Sequence, residues 1–195
     1  MPKLCMEPIR RRQLIAATIS SVGRYGYGET TVLRISKAAG VSPGIIHHYF
    51  GGKDELLEAA MRSLLEQLRQ EVIGRLSKAD GPRARLSAIV DGNFASSQFE
   101  PQAVAAWLAF WAEARHAPKL GRLQQINRRR LHSNLRQAFG LLGEAEWADR
   151  AAEGLAALID GLWLHAALAR APDGAEACAI AHRFIDCELE GTDRS

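Results

Sequence analysis

Cysteine is scarce: Cys5, Cys178 and Cys187 are the only three in 195 residues, and no CxxC pair occurs. An odd count without paired spacing argues against a disulfide framework and suits a reducing compartment. Long apolar runs are missing too. The longest, Gly154 to Ala169, is broken by Asp160 and His165. It falls short of the roughly 20 residues that cross a bilayer. The opening MPKLCMEPIRRR has no apolar stretch of the secretory kind, so a cytoplasmic protein with no membrane partner is expected. Seven prolines and 17 glycines are too few for collagen-like or proline-rich architecture. No HExxH or complete GxGxxG appears, and no spacing sets a nucleophile beside its base. No catalytic residue is therefore assigned, and an enzyme is not expected.

What is present is ordinary globular composition, 47% hydrophobic and 24% charged, in a chain long enough for one domain or two small ones. The charge is unevenly placed. Residues 1–53 hold eight Lys and Arg against Glu7 and Glu29, a net +6, and the remainder carries −3. A basic end on an acidic body points to an anionic partner at that end.

Helical periodicity dominates, and no run of alternating β-branched residues appears. Ile15, Ile19 and Val22 mark a helix over 9–25. Leu57, Met61, Leu64, Leu68, Val72 and Leu76 mark a long one over 53–77. Asp80-Gly81-Pro82 breaks the chain. Further helices are expected at 82–97, 101–116, 119–140, 146–170 and 175–189. With two short helices between 32 and 50, the reading is all-α, about nine helices. The charge reversal near residue 55 suggests an N-terminal domain over 1–55 and a helical domain over 56–195.

The segment TTVLRISKAAGVSPGIIHHYF carries the chemistry. Thr30 or Thr31 can cap a helix over 32–39. Gly40 stands where that helix must end and reverse. Ser42 can cap a second helix whose first position is Pro43, where a missing N–H costs nothing. Helix, short glycine turn, helix is a helix-turn-helix beside basic flanks, which points to double-stranded DNA rather than to a plain helical hairpin. The second helix would enter the major groove. Gly44, His47 and His48 face outward there, followed by Tyr49, while Ile45, Ile46 and Phe50 hold it to its neighbours. The adjacent histidines diverge by about 100° around a helix and make a poor metal pair. Lys53 and the free N–H groups opening the next helix form a phosphate site. Thr31, Arg34, Ser42, Pro43, Gly44, His47, His48, Tyr49 and Lys53 are the candidate DNA-contacting residues.

The stretch AGVSPGIIHHYFGGKDELL closely resembles the DNA-binding domain of TetR/AcrR-family repressors, with His47 departing from the Tyr that many members carry. MPKL, IRRRQLI, AWLAFW, LQQINRRRLHSNL and GLAALIDGLWLHAAL extend the likeness to the choline-responsive repressors of glycine betaine synthesis. The resemblance implies a homodimer, choline as effector with no other cofactor, and an operator governing choline uptake and oxidation.

On their own, Trp107, Phe110 and Trp111 share one helix face, and Asp160 and Trp163 share another. Such indoles with a carboxylate could box a quaternary ammonium ion, although aromatic stripes at helical spacing commonly serve as core. Asn93 and Phe94 are weaker candidates, as are Asp91 and Glu113. Leu155, Leu158, Ile159, Leu162, Leu164 and Leu168 wrap too far around one helix for a single chain to cover, so dimerisation through the last two helices is expected. Arg128-Arg129-Arg130 reads as a solvated face. Cys178 and His182 have a ligand spacing of i, i+4 with Cys187 nearby. Two or three ligands on one helix rarely hold a metal, and none is expected. Three other functions keep a place beside the choline-responsive repressor: a regulator sensing another cationic or hydrophobic molecule, a helical enzyme acting on a small cation, and an architectural DNA binder.

Overall fold

The computed structural model describes residues 6–192, so Cys5 and the MPKL stretch lie outside the described residues. The described chain forms nine helices: α1 (Met6–Glu29), α2 (Val32–Ala39), α3 (Pro43–Phe50), α4 (Lys53–Leu76), α5 (Gly81–Asn93), α6 (Pro101–Glu113), α7 (Pro118–Phe139), α8 (Ala145–Ala167) and α9 (Ala175–Thr192). No strand occurs among the described residues, and the all-α reading holds.

Local chemistry explains most boundaries. Gly26 has φ 77° and ψ 171°, which kinks the last turn of α1 away from the helix that periodicity ended at residue 25. Helix α5 is shorter than expected. It stops at Asn93, Phe94 caps it, and a 3₁₀ turn over Ser96–Phe99 follows. The side chain of Asn93 donates back to the Ile89 carbonyl at 2.8 Å, and Pro101 then opens α6. Gly81, at φ 82°, begins α5 with Pro82 in its first turn.

Two compact units emerge. The first is the chain through Glu66 together with Pro101–Gln124. The second is Gln67–Glu100 together with the chain from Gln125 onward. Residue 55 therefore lies inside the first unit. That unit includes α6, which packs along α1. Gly23 permits that approach, since a Cβ there would sit 3.1 Å from the Gln102 carbonyl oxygen. In the second unit α8 and α5 both pack on α9. Gly92 lets α5 meet α4 closely, because a Cβ there would lie 2.8 Å from Val72 Cα and 3.0 Å from its backbone nitrogen.

Candidate nucleic-acid interface and cavity

The helix-turn-helix is built by its caps. Thr31 is the N-cap of α2, and its Oγ1 accepts from the Arg34 backbone N–H at 3.2 Å. Thr30 is buried instead, and its hydroxyl donates to the Gly26 carbonyl at 2.6 Å. Gly40 caps the other end of α2 in the left-handed conformation, φ 64° and ψ 37°, which an L side chain adopts only with strain. Val41 N–H then donates to the Ser36 carbonyl at 3.0 Å, closing the turn. Ser42 caps α3 through its backbone: its carbonyl accepts from Ile45 N–H at 3.1 Å, and its hydroxyl makes no cap hydrogen bond. Pro43 takes the first turn of α3 as expected.

Leu14, Ile35, Ala39, Ile46 and Leu56 form the core beneath this motif, with Ile45, Tyr49 and Phe50 packed partly against it. Only Ile46 of α3 is fully buried. Gly44, His47 and His48 are exposed, as a groove-facing surface requires. Tyr49 is half-buried with its ring 4.9 Å from that of His48, so it contributes to both surface and core. Two tethers escaped sequence reasoning. Gln13 Nε2 donates to the Ala39 carbonyl at 2.7 Å, and the Arg11 guanidinium lies 5.1 Å from the Phe50 ring. Both join residues far apart in sequence, which periodicity does not register.

His47 Nδ1 lies 3.1 Å from the Gly51 carbonyl oxygen. A carbonyl only accepts, so Nδ1 carries the hydrogen, and in the neutral ring Nε2 is left as an acceptor. An acceptor in the major groove suits the exocyclic amino group of adenine or cytosine. Lys53 begins α4 with its ammonium 5.9 Å from the Tyr27 ring centre. Arg34 is engaged elsewhere: it donates to the Glu29 carbonyl, approaches the Glu29 carboxylate at 3.2 Å and stacks 4.6 Å from the Tyr25 ring. Its guanidinium braces the end of α1.

These placements separate two kinds of contact. Lys53→Ala is expected to weaken binding to all DNA sequences alike and to lower the salt slope by about one unit. His47→Ala is expected to shift preference among half-site base substitutions by about 1–3 kcal/mol. Identical specificity profiles for the two variants would reject this division of roles.

The expected effector residues fall in different units. Trp107, Phe110 and Trp111 belong to α6 in the first unit. There Phe110 is fully buried and meets the Tyr27 ring edge-on at 6.1 Å, Trp107 is buried, and Trp111 is half-buried. Asn93, Phe94, Asp160 and Trp163 belong to the second unit. In it the Phe94 ring stacks on Phe99 at 6.4 Å, and Phe99 lies 6.1 Å from buried Trp163. Asp160 is exposed on α8, one turn from Trp163. Its carboxyl is held above the usual carboxylate range, first by crowding that desolvates it and then by Glu153, with Arg128 opposing.

The second unit also holds a cavity of about 170 Å³. Leu68, Val72 and Leu76 of α4, Ile89 of α5 and Leu131 of α7 give it an apolar lining, and Arg69, Asn93, Asn127, Arg130 and Asn134 give it polar atoms. Among the expected ligand residues only Asn93 opens on it. Among the described residues no carboxylate and no aromatic ring lines it. The missed polar residues Asn127, Arg130 and Asn134 recur at helical spacing along α7, which was the available signal.

Residues 14–60 match the N-terminal domain of the bacterial regulatory proteins of the tetR family, and residues 82–190 match the C-terminal domain of BetI-type transcriptional repressors. The HTH-type transcriptional regulator BetI 2 of Chromohalobacter salexigens is 51% identical over 189 residues, covering 95% of this chain and 91% of that protein. A transcriptional regulator of Pseudomonas aeruginosa PAO1 superposes with a TM-score of 0.84 at 31% identity, covering 96% and 93% of the two chains. A transcriptional regulator of Saccharomonospora viridis, solved in complex with choline, shares the fold with a TM-score of 0.77 at 22% identity, covering 90% and 95%.

Proposed function

Because the chain belongs to the TetR family and is a BetI-type transcriptional repressor, we propose that it binds its operator as a homodimer and responds to choline or a similar quaternary ammonium compound. The genes controlled would be those of choline uptake and glycine betaine synthesis. The observation that carries this reading is similarity across the effector half as well as the DNA-binding half. The 51% identity runs through 95% of the chain, so it spans both halves. The choline held by the Saccharomonospora viridis regulator supports the same ligand class.

The two-part organisation goes with it: residues 1–55 contact DNA and residues 56–195 bind effector and pair the subunits. A single eight-residue α3 reads few bases. Two-fold pairing doubles the site and sets half-sites about 34–36 Å apart, or a multiple of that. Leu158, Leu162 and Leu164 of α8 are half-exposed and Leu168, which caps its end, is 66% exposed in the single chain, a surface that a second copy of α8 and α9 would cover. A regulator of this kind works in the cytoplasm.

Choline's ammonium has no N–H to donate, so aromatic faces must hold it, each worth about 0.5–2 kcal/mol when desolvated. The rings proposed are Trp107, Phe110 and Trp111 within the first unit and Phe94 and Trp163 within the second, each set by itself, with Asp160 of the second unit as the compensating charge and Asn93 as a partner for the hydroxyl. Effector control requires that choline prefer one repressor conformation, since equal affinity for both shifts nothing. Helix α4 is the proposed lever: Lys53 begins it, and Leu68, Val72 and Leu76 near its end line the cavity.

The cavity favours a second reading of the effector. Among the described residues its lining bears the Arg130 guanidinium with the Asn127 and Asn134 amides and no carboxylate, which suits a small molecule carrying a carboxylate beside its ammonium group. A gel shift across salt concentrations, with choline and with glycine betaine added separately, tests both. Choline-dependent mobility supports the first reading, and betaine-dependent mobility the second. A shift indifferent to either refutes effector control by this class of ligand. Calorimetry on Trp107→Ala, Trp111→Ala, Trp163→Ala and Asp160→Asn is expected to show weaker choline binding in each. Parent-like affinity in all four would exclude the proposed box.

A further inference from the structure

In the second unit α5 and α9 run antiparallel, with Arg83 of α5 paired to Asp186 of α9. Two turns along α5 the same register brings Asp91 against the other end of α9. There Asp91 Oδ1 lies 2.7 Å from His182 Nε2 and 3.5 Å from Cys178 Sγ. One ligand atom from each of the three residues lies within 4.8 Å of the others. We propose that Asp91, Cys178 and His182 form a binding site for one divalent transition-metal ion of the zinc class.

The spacing supports this. Zinc bonds of about 2.0–2.3 Å at tetrahedral angles place an oxygen and a sulfur ligand about 3.5 Å apart, and an oxygen and a nitrogen about 3.3 Å apart. Cys178 Sγ already stands 3.5 Å from Asp91 Oδ1. Ligation lengthens the His182–Asp91 edge from 2.7 Å to about 3.3 Å, from a direct hydrogen bond to positions across the ion, and the helix keeps Cys178 Sγ within 4.8 Å of both. His182 and Cys178 share one face of α9 at i, i+4, so the helix fixes two donors and α5 fixes the third. Nitrogen and sulfur beside one carboxylate select zinc-like ions over magnesium or calcium, and three protein ligands leave a fourth position for water.

The thiol is not tuned for redox sensing. Burial first, then the Asp91 carboxylate and its hydrogen bond, push Cys178 up to about 11, so without an ion it is a thiol, not a reactive thiolate. An incoming cation reverses that balance. The thiol proton leaves, and the Nε2 hydrogen of His182 that the direct bond to Asp91 requires is given up, the neutral ring keeping its one hydrogen on Nδ1, so that the thiolate, the carboxylate and Nε2 each supply a lone pair. A bound ion would tie α5 to α9.

The test uses untagged full-length protein stripped with chelator. Cobalt(II) is titrated while the sulfur-to-cobalt charge-transfer band is followed, and zinc is then added to displace it. One ion per chain is expected. Cys178→Ser should abolish the band, His182→Ala and Asp91→Ala should weaken binding by more than about 10-fold, and Cys187→Ser should leave both unchanged. Circular dichroism and operator binding check that the variants fold. In the unmutated protein, zinc should protect Cys178, and not Cys187, from alkylation, read by mass spectrometry. No band in the unmutated protein, a band that survives Cys178→Ser, or alkylation of Cys178 at the same rate with and without zinc would each overturn the proposal.

Discussion

Ile46→Ala is expected to destabilise the first unit by about 2–5 kcal/mol and to abolish operator binding. Helix α3 has eight residues, too few to be stable alone in water. Its orientation depends on what it buries. Ile46 is its one fully buried residue, and it fills a core made by Leu14 of α1, Ile35 and Ala39 of α2 and Leu56 of α4. The remaining apolar residues of α3, Ile45, Tyr49 and Phe50, are only partly covered. Removing three carbons leaves a cavity that close packing cannot readily collapse, and the exposed His47 and His48 lose their fixed position over the groove. Denaturant unfolding and fluorescence anisotropy with operator DNA measure the two losses separately. An Ile46→Ala protein with unchanged midpoint and unchanged operator affinity would show that α3 is held by something other than this core.

The same region was the most legible part of the sequence, and the reason is local. Thr31, Gly40, Ser42 and Pro43 act within four or five residues of themselves, so their caps and turn can be read without knowing the fold. Arg34 shows the limit. It stands among the candidate DNA contacts by its position beside the cap, and what the sequence does not register is that its guanidinium is engaged with Glu29 and Tyr25 at the end of α1. The aromatic face of α6 shows a different limit. Periodicity finds Trp107, Phe110 and Trp111 on one side of a helix, but only the packing of α6 on α1 makes Phe110 a core residue against Tyr27. The Asp91 cluster lay furthest out of reach. Cys178 and His182 are visible at helical spacing, whereas their third partner is 87 and 91 residues away. Charge placement was informative about function because it accumulates over many residues, while a site assembled across helices depends on a few side chains meeting.

Gly92→Val is expected to destabilise the second unit by about 1–3 kcal/mol or more and to weaken effector binding with it. The first added carbon already has no room: a Cβ at Gly92 would stand 2.6 Å from Val72 Cγ2, 2.8 Å from its Cα and 3.0 Å from its backbone nitrogen. A side-chain tip can rotate away, but a helix backbone cannot, so α4 and α5 must separate. Val72 of α4 and Ile89 and Asn93 of α5 line the same cavity, and a change in helix spacing alters its shape directly. Gly74, on the same α4 helix, provides the contrast. It is exposed, and a Cβ there would meet nothing within 4 Å. Gly74→Ala should therefore stabilise the helix by about 0.5–1 kcal/mol through its lower unfolded-state entropy. Denaturant unfolding of both variants, with calorimetry against choline and glycine betaine, distinguishes a packing effect from a general intolerance of change in this helix pair. If Gly92→Val unfolds like the parent and binds effector as well, then α4 and α5 are free to shift, and the cavity between them cannot be the rigid element through which an effector acts on α4. If it loses stability while Gly74→Ala gains it, the close crossing at Gly92 sets the spacing on which the cavity depends.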